Sequence, residues 1–223
     1  MNDYVSVVIP TLNEEKNIGK VIHGIRKNLR CKRCEILVVD GHSSDNTVGI
    51  AKKLGARIIY DNKGKGSALR KGFGYAKGNI IVSMDADLSN EPKELNLLVE
   101  SIRIGYDVCM GSRFMVGGGS EDISGIRVFG NRFFVFIVNL FFGSKYSDMC
   151  YGYRSFRKDV INKLNLKEDG FGIETEININ AMKANLKVIE IPSTEKKREA
   201  GEAKLRTVSD GFMILKTIIK NIL

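Results

Sequence analysis

Two carboxylates, Asp85 and Asp87, close the apolar run Ile80-Ile81-Val82-Ser83-Met84 with only Ala86 between them. Extended backbone alternates its side chains, so a strand carried this far puts both acids on one side. Like charges that close are costly unless a cation sits beside them. A divalent metal carrying a phosphorylated ligand is one such cation, and a solvated surface turn is the plainer alternative. The other strand ends weigh against the turn. Glu35-Ile36-Leu37-Val38-Val39 runs out into Asp40, and Asp107-Val108-Cys109-Met110-Gly111-Ser112 into Arg113. In open α/β sheets, ligands collect at the carboxyl ends of strands. Strands that end this regularly in charge outline one wall of a pocket. A basic, glycine-rich loop, Asn62-Lys63-Gly64-Lys65-Gly66-Ser67, lies between them. It lacks the order of a P-loop, so alone it reads equally as a phosphate cradle or a solvated lysine loop.

The elements that must position these groups follow from periodicity. Tyr4 to Ile9 reads as a first strand, stopped by Pro10. Thr11 to Glu15 then opens a helix with acids in its first turn, where the macrodipole favours them. Ile18, Val21, Ile22, Ile25 and Leu29 give that helix one apolar face. Ser44 or Asp45 caps a helix through Leu54, Arg57 to Tyr60 is a short strand, and Ala68 to Ala76 is a helix after the lysine loop. Another helix starts near Pro92. Strand and helix alternating at this interval mean βαβ units and a mostly parallel sheet. Beyond Arg113 the character changes. Met115 to Ser124 is a glycine-rich loop long enough to act as a mobile active-site segment. Asp148 to Arg157 is a compact polar and aromatic segment, Glu174 to Ala184 a helix, Lys187 to Pro192 a last strand and Lys196 to Arg206 a basic loop.

Two helices stand apart. Val128 to Phe142 holds six of the chain's 11 phenylalanines and is apolar on nearly every side, with Arg127 and Arg132 near its start. A core helix and a helix lying in a membrane interface both fit it. The closing helix, Thr207 to Leu223, sets Val208, Phe212, Leu215, Ile218, Ile219 and Ile222 against Lys216 and Lys220.

Composition narrows the classes. The 223 residues can bury a sizeable core, and 43% apolar with 27% charged residues describes an ordinary globular chain. A formal charge of +9 favours anionic partners. No nucleic-acid-binding signature accompanies it, so a nucleic-acid partner is not expected. Met1 is followed directly by a strand pattern, so no signal peptide is expected. The apolar run Phe133 to Phe142 is too short to span a bilayer, and no membrane crossing is expected. Cys31 and Cys34 have zinc-like spacing without a second such pair, so these and Cys109 and Cys150 read as free thiols of a reducing cytoplasm.

Taken in order, the motifs Val8-Ile9-Pro10-Thr11-Leu12-Asn13-Glu14, Val39-Asp40-Gly41-His42-Ser43-Ser44-Asp45, Asp85-Ala86-Asp87, Gly111-Ser112-Arg113, Asp148 to Arg157 and Arg198 to Leu205 resemble the inverting family 2 glycosyltransferases. The likeness is to the dolichol-phosphate mannose synthase-like group and covers most of the chain. It implies a GT-A fold, a Rossmann-like sheet with flanking helices, over a single domain of residues 1–223. Residues 1–114 would bind the nucleotide sugar. Residues 115–223 would bind the acceptor and carry interfacial helices toward the C-terminus. It also implies that Pro10, Glu14 and Asp40 line base and ribose. Asp85 and Asp87 hold Mg²⁺ or Mn²⁺, with Asp87 the surer ligand. Arg113, Arg127 and Asn131 grip an acceptor phosphate, and Arg198 and Lys204 close over the donor. Leu12, Lys65 and Ala86 complete the expected donor-binding set. Departures touch specificity: Leu12 replaces a common aromatic, Gly41 a second acid, Ser89 a glutamine and Asn131 a serine. The terminal membrane spans of some members are missing from this sequence.

The implied reaction is sugar transfer from GDP-mannose or a UDP-hexose to a polyprenyl (dolichyl-type) phosphate, by a protein held peripherally at the cytoplasmic face of a membrane. The residues bear on the acceptor. A sugar hydroxyl needs a base, whereas a phosphate monoester with a second pKa of about 6 is already largely dianionic. Acceptor-side candidates are the arginines Arg113, Arg127 and Arg132, which suits phosphate. Asp148 could still serve as base for a hydroxyl acceptor, and a silent nucleotide- or lipid-surface module is the non-enzymatic alternative.

Overall fold

The computed structural model describes residues 4–198 and 207–222. Among these the strands are β1 (Tyr4–Thr11), β2 (Arg33–Asp40), β3 (Arg57–Tyr60), β4 (Ile80–Ser83), β5 (Val108–Ser112), β6 (Gly119–Ser120), β7 (Arg154–Arg157), β8 (Val188–Pro192) and β9 (Thr194–Glu195). The helices are α1 (Ile18–Asn28), α2 (Thr47–Lys53), α3 (Lys65–Tyr75), α4 (Leu95–Arg103), α5 (Gly125–Phe142), α6 (Ile173–Lys183) and α7 (Thr207–Ile222). Seven strands form one sheet in the order β3-β2-β1-β4-β7-β5-β8, parallel except for β7. The mostly parallel α/β sheet expected from the sequence is therefore present. The inner strands β1, β4 and β5 are buried on both faces, which is why they read as continuous apolar runs. Along β1, Val5, Val7 and Ile9 pack against α1, α2 and α4, while Val8 faces α3 and α6.

Several boundaries differ from expectation, each for a local reason. β1 runs through Pro10 to Thr11. Val8 accepts from the Met84 N–H, so Pro10, two residues on, faces the same edge, where β4 has already ended and no donor is needed. α1 starts only at Ile18, because Asn13 takes a left-handed turn at φ 51° and sends Glu14 and Glu15 through a loop. α3 starts at Lys65, so half of the lysine loop is helix. β4 stops at Ser83, leaving Asp85 and Asp87 on a turn rather than on alternating strand positions.

The segment around Arg154 hides a strand. β7 lies in the centre of the sheet, antiparallel to β4 and β5. Residues 1–114 and 115–223 thus share one sheet, and position 114 divides no two bodies. The glycine-rich stretch after Arg113 is tethered, because β6 pairs with β9 in a two-stranded ribbon.

α5 buries Asn131, Phe134 and Val138 and turns most of its apolar surface outward. By length and apolarity it could cross a membrane, but that buried edge attaches it to the domain. Ile126, Phe129, Phe133, Phe136 and Leu140, at alternating steps of three and four, are exposed along one stripe. α7 packs beside it and exposes Phe212, Ile219 and Ile222.

Phe156, fully buried on β7 and 5.2 Å from the Phe73 ring, should matter far more to stability than Phe129, which is 74% exposed. Urea unfolding is expected to show Phe156→Ala costing about 3–5 kcal/mol and Phe129→Ala less than about 0.5.

Candidate active site

A cavity of about 610 Å³ opens at the carboxyl ends of the strands. Its far wall is the turn after β4. The Asp85 N–H donates to Asn90 Oδ1 at 2.7 Å, the Ser89 N–H to Asp87 Oδ1 at 3.0 Å, and Leu88 completes the bend with φ 67°. These bonds aim both acids into the cavity with Ala86 between them.

Each acid meets a cation from a distant element. Lys65, at the first position of α3, lies 2.8 Å from Asp85 Oδ1 and 2.9 Å from Glu174 Oε1 in the first turn of α6. Burial works against its charge, but the two carboxylates more than offset this and hold the ammonium well above its ordinary value. Gly152 makes room for the trio. A Cβ there would lie 3.0 Å from Lys65 Nζ, 3.2 Å from Asp85 Oδ2 and 3.3 Å from Glu174 Oε1. The amides of Gly66 and Ser67 donate to the Asp169 carbonyl at 2.8 and 3.1 Å. They cradle no phosphate, and Lys65 is not a solvated loop lysine.

Asp87 pairs with Arg198. The segment carrying Arg198 is laid along the turn by the Lys196 N–H, which donates to the Ser89 carbonyl at 2.8 Å, and by a bridge between Asn90 and Glu195. Burial works to raise the Asp87 carboxyl, but its bonds from Ser89 and the Arg198 charge hold it below the ordinary carboxylate value. Burial pushes the Asp85 carboxyl up against the pull of Lys65, and Asp87 and Glu174 add to the push. Asp87 is therefore the better anion of the two.

Arg113 lines the cavity with its guanidinium held by acids. Its Nε and Nη2 donate to both Asp148 oxygens at 2.7 and 2.9 Å, and its Nη1 donates to Glu195 at 3.2 Å. Burial works against its charge, yet Asp148 and Glu195 hold the guanidinium firmly protonated. Arg113 lines the cavity but ties the end of β5 to the Asp148 loop and to β9. Asp148 is fully buried under this fork and does not line the cavity, so it is not placed to act as a base.

Opposite the acids, the first half of α5 presents Arg127, Asn131 and Phe134. Asn131 Oδ1 accepts from the Met149 N–H at 2.9 Å, while its buried Nδ2 has no partner among the described residues. A buried amide donor left unpaired is costly, which makes it a natural hydrogen bond to a ligand.

The glycosyl transferase family 2 profile matches residues 6–164. The chain belongs to this family. A dolichol-phosphate mannosyltransferase of Pyrococcus furiosus is 34% identical over 210 residues, 91% of this chain but 59% of the relative, so the chain spans under two thirds of that protein. A dolichyl-phosphate hexose transferase of Haloferax volcanii is 31% identical over 219 residues, 98% of this chain and 93% of the relative. A crystal structure of glucosyl-3-phosphoglycerate synthase from Mycobacterium tuberculosis, with Mn²⁺, UDP and glucosyl-3-phosphoglycerate, superposes with TM-score 0.78 at 21% identity, covering 99% of this chain and 80% of that one. The likeness shows a GT-A fold.

Within this family 2 chain, Pro10, Leu12, Glu14, Lys65, Asp85, Ala86, Asp87, Arg113, Arg127, Asn131 and Arg198 share one cavity. Asp40 does not join them. It is fully buried, and its carboxylate accepts from the Ser43 N–H at 2.9 Å and from the Ser43 hydroxyl at 2.6 Å, fixing the loop beneath Leu12. Lys204 lies outside the described residues. Sequence reasoning missed Glu174, Glu195 and Gly152, which carry no motif and join the site only through folding.

No group of three or more acid, histidine or cysteine side chains among the described residues could cage a metal. The donor set fits a cation bound by one or two carboxylates, water and ligand phosphates, the partial shell that Mg²⁺ favours and Mn²⁺ accepts.

The two acids should leave opposite marks on stability. Asp87, depressed in the folded state, adds stability above its unfolded value of 3.8 that is lost as pH falls through the lower folded value. Asp85, raised, holds its proton more tightly when folded, so stability falls as pH climbs from 3.8 through its folded value. Melting midpoints against pH should lose the acid-side fall in Asp87→Asn and the neutral-side fall in Asp85→Asn. Unaltered profiles in both variants would contradict the assignment.

Proposed function

We propose that the protein transfers a sugar, with inversion, from a nucleotide sugar such as GDP-mannose or a UDP-hexose to a polyprenyl (dolichyl-type) phosphate. One observation carries this reading. A single cavity joins the acid pair and its two cations to Arg127 and the unpaired Asn131 amide, on a helix whose outer surface is an exposed apolar stripe. Relatives named for dolichyl-phosphate substrates support it.

Asp87, with Asp85, would hold Mg²⁺ or Mn²⁺ against the donor's diphosphate. Such an ion supplies Lewis-acid stabilisation of the departing phosphate. Lys65 and Arg198 already sit on those carboxylates. Both would meet the phosphate oxygens of a donor held there, where fixed cations stabilise the charge that grows as the sugar leaves. On the acceptor side, Arg127 and Asn131 orient a phosphate dianion that attacks without a base. With Asp148 locked under Arg113, the base first available to a hydroxyl acceptor is out of play, which favours the phosphate reading. Arg113 acts as the tie that sets this wall. The stripe on α5 and the outer face of α7 would rest on the cytoplasmic face of a membrane, so that the lipid tail lies in the bilayer while its phosphate reaches the cavity.

Incubation with radiolabelled GDP- and UDP-sugars, polyprenyl phosphate and Mg²⁺ or Mn²⁺ should give an organic-soluble product that chelation abolishes. Asp87→Ala should lower kcat by about a hundredfold or more, while Arg127→Ala should chiefly raise the acceptor KM. No labelled lipid with any common donor would overturn the proposal.

A further inference from the structure

On the face built by α6, α7 and the 3₁₀ turn ending at Leu164, a second cleft lies apart from the active site. Its volume is about 380 Å³, and four exposed lysines, Lys163, Lys167, Lys183 and Lys220, stand around it. Lys163 is on the 3₁₀ turn, Lys167 in the loop after it, Lys183 on α6 and Lys220 on α7, and they converge. The nearby acids are tied down: Glu176 accepts from the backbone N–H groups of Lys167 and Glu168 at 2.9 Å, and Glu168 lies 3.6 Å from Lys220. Cations outnumber these acids two to one at an open cleft, an arrangement that repels itself unless an anion is near.

The position of the cleft says which anion. Lys183 Nζ donates to Asn221 of α7 at 3.0 Å and stands 5.6 Å over the Phe142 ring at the end of α5. Lys220 directly follows the exposed Ile219 on α7, so the lysine cleft meets the apolar surface of that helix. Neither helix presents an exposed acid. α5 contains no acid at all, the one acid of α7, Asp210, is buried, and Arg132, Lys145 and Lys216 are exposed. An apolar helix pair rimmed by lysines matches a bilayer with negative headgroups, in which the chains meet the stripe and the phosphates meet the ammonium groups.

We infer that this lysine cleft binds the phosphate of an anionic phospholipid and makes the protein selective for negatively charged leaflets. The inference rests on the proposed contact of α5 and α7 with a membrane. It adds a headgroup site remote from the donor and acceptor groups, one that sets which membranes are used and how the protein lies on them.

The test uses the full chain and sedimentation with two vesicle types, phosphatidylcholine alone and phosphatidylcholine mixed with phosphatidylglycerol. The wild type should bind the mixed vesicles more tightly. A Lys163→Gln, Lys167→Gln, Lys183→Gln, Lys220→Gln variant should bind them at least about tenfold more weakly, given roughly a fivefold contribution per surface lysine, and keep the wild-type affinity for phosphatidylcholine. A Phe129→Ser, Phe136→Ser variant should lose affinity for both. Sugar transfer in neutral detergent micelles should be equal in the wild type and the lysine variant. Equal wild-type binding to the two vesicles, binding to neither, or an undiminished preference in the lysine variant overturns the inference. Absence of transfer in micelles by either protein sinks the catalytic reading instead and leaves the vesicle result to decide this one.

Discussion

Three carboxylates, Asp85, Asp87 and Glu174, converge on one wall of the cavity, and their repulsion is the constraint that the surrounding structure answers. It answers with cations rather than with distance. Lys65 stands between Asp85 and Glu174, and Arg198 sits on Asp87. Removing these charges from bulk water is costly, so such a cluster persists only where geometry is tight and hydrogen bonds are complete. The tightness is visible in Gly152, whose missing side chain lets lysine and acids meet, and in the Asn90 amide that holds the turn. Two cations answer three carboxylates, so the wall carries little net charge.

The same economy governs Arg113. A guanidinium at a strand end beside such a pocket invites the reading of a direct ligand. In the folded chain its donors face Asp148 and Glu195, which joins three segments that are far apart in sequence. Glu195 in turn belongs to the ribbon that carries the chain toward Arg198. A charge that looks like a ligand thus acts on the site by holding the segment that delivers another charge.

What could be read beforehand follows from which signals are local. Every strand of the large sheet but β7, and the helices between them, announce themselves by runs and periods, and charged strand ends marked the mouth of the pocket. Those patterns depend on neighbours in sequence. Glu174 and Glu195 could not be found that way, because their partners are Lys65 and Arg113, set by tertiary packing. β7 escaped because its first residue is Arg154, a fully buried arginine satisfied by the carbonyls of Tyr151 and Glu174 at 3.0 Å, which no strand pattern suggests. Asp40 misled in the other direction. An acid at a strand end resembles a ligand until Ser43 is seen to occupy it. α5 could not be settled from composition, since a helix apolar all round fits a core and an interface alike, and only folding shows that three of its residues point inward.

The place of β7 in the sheet also bears on how the chain reaches its fold. β1 to β4 can pair as they are made, each through a short crossover, but β5 has no partner on the β4 side until Arg154–Arg157 arrives. Between those events the whole of α5 is synthesised. Contacts of such sequence separation close late and slowly, and apolar surface stays uncovered meanwhile. During biogenesis the half-built sheet therefore stands open with its most water-averse helix already extended. A lipid surface or a chaperone near the nascent chain would shield that helix before the antiparallel strand slides home and joins the two flanks of the sheet.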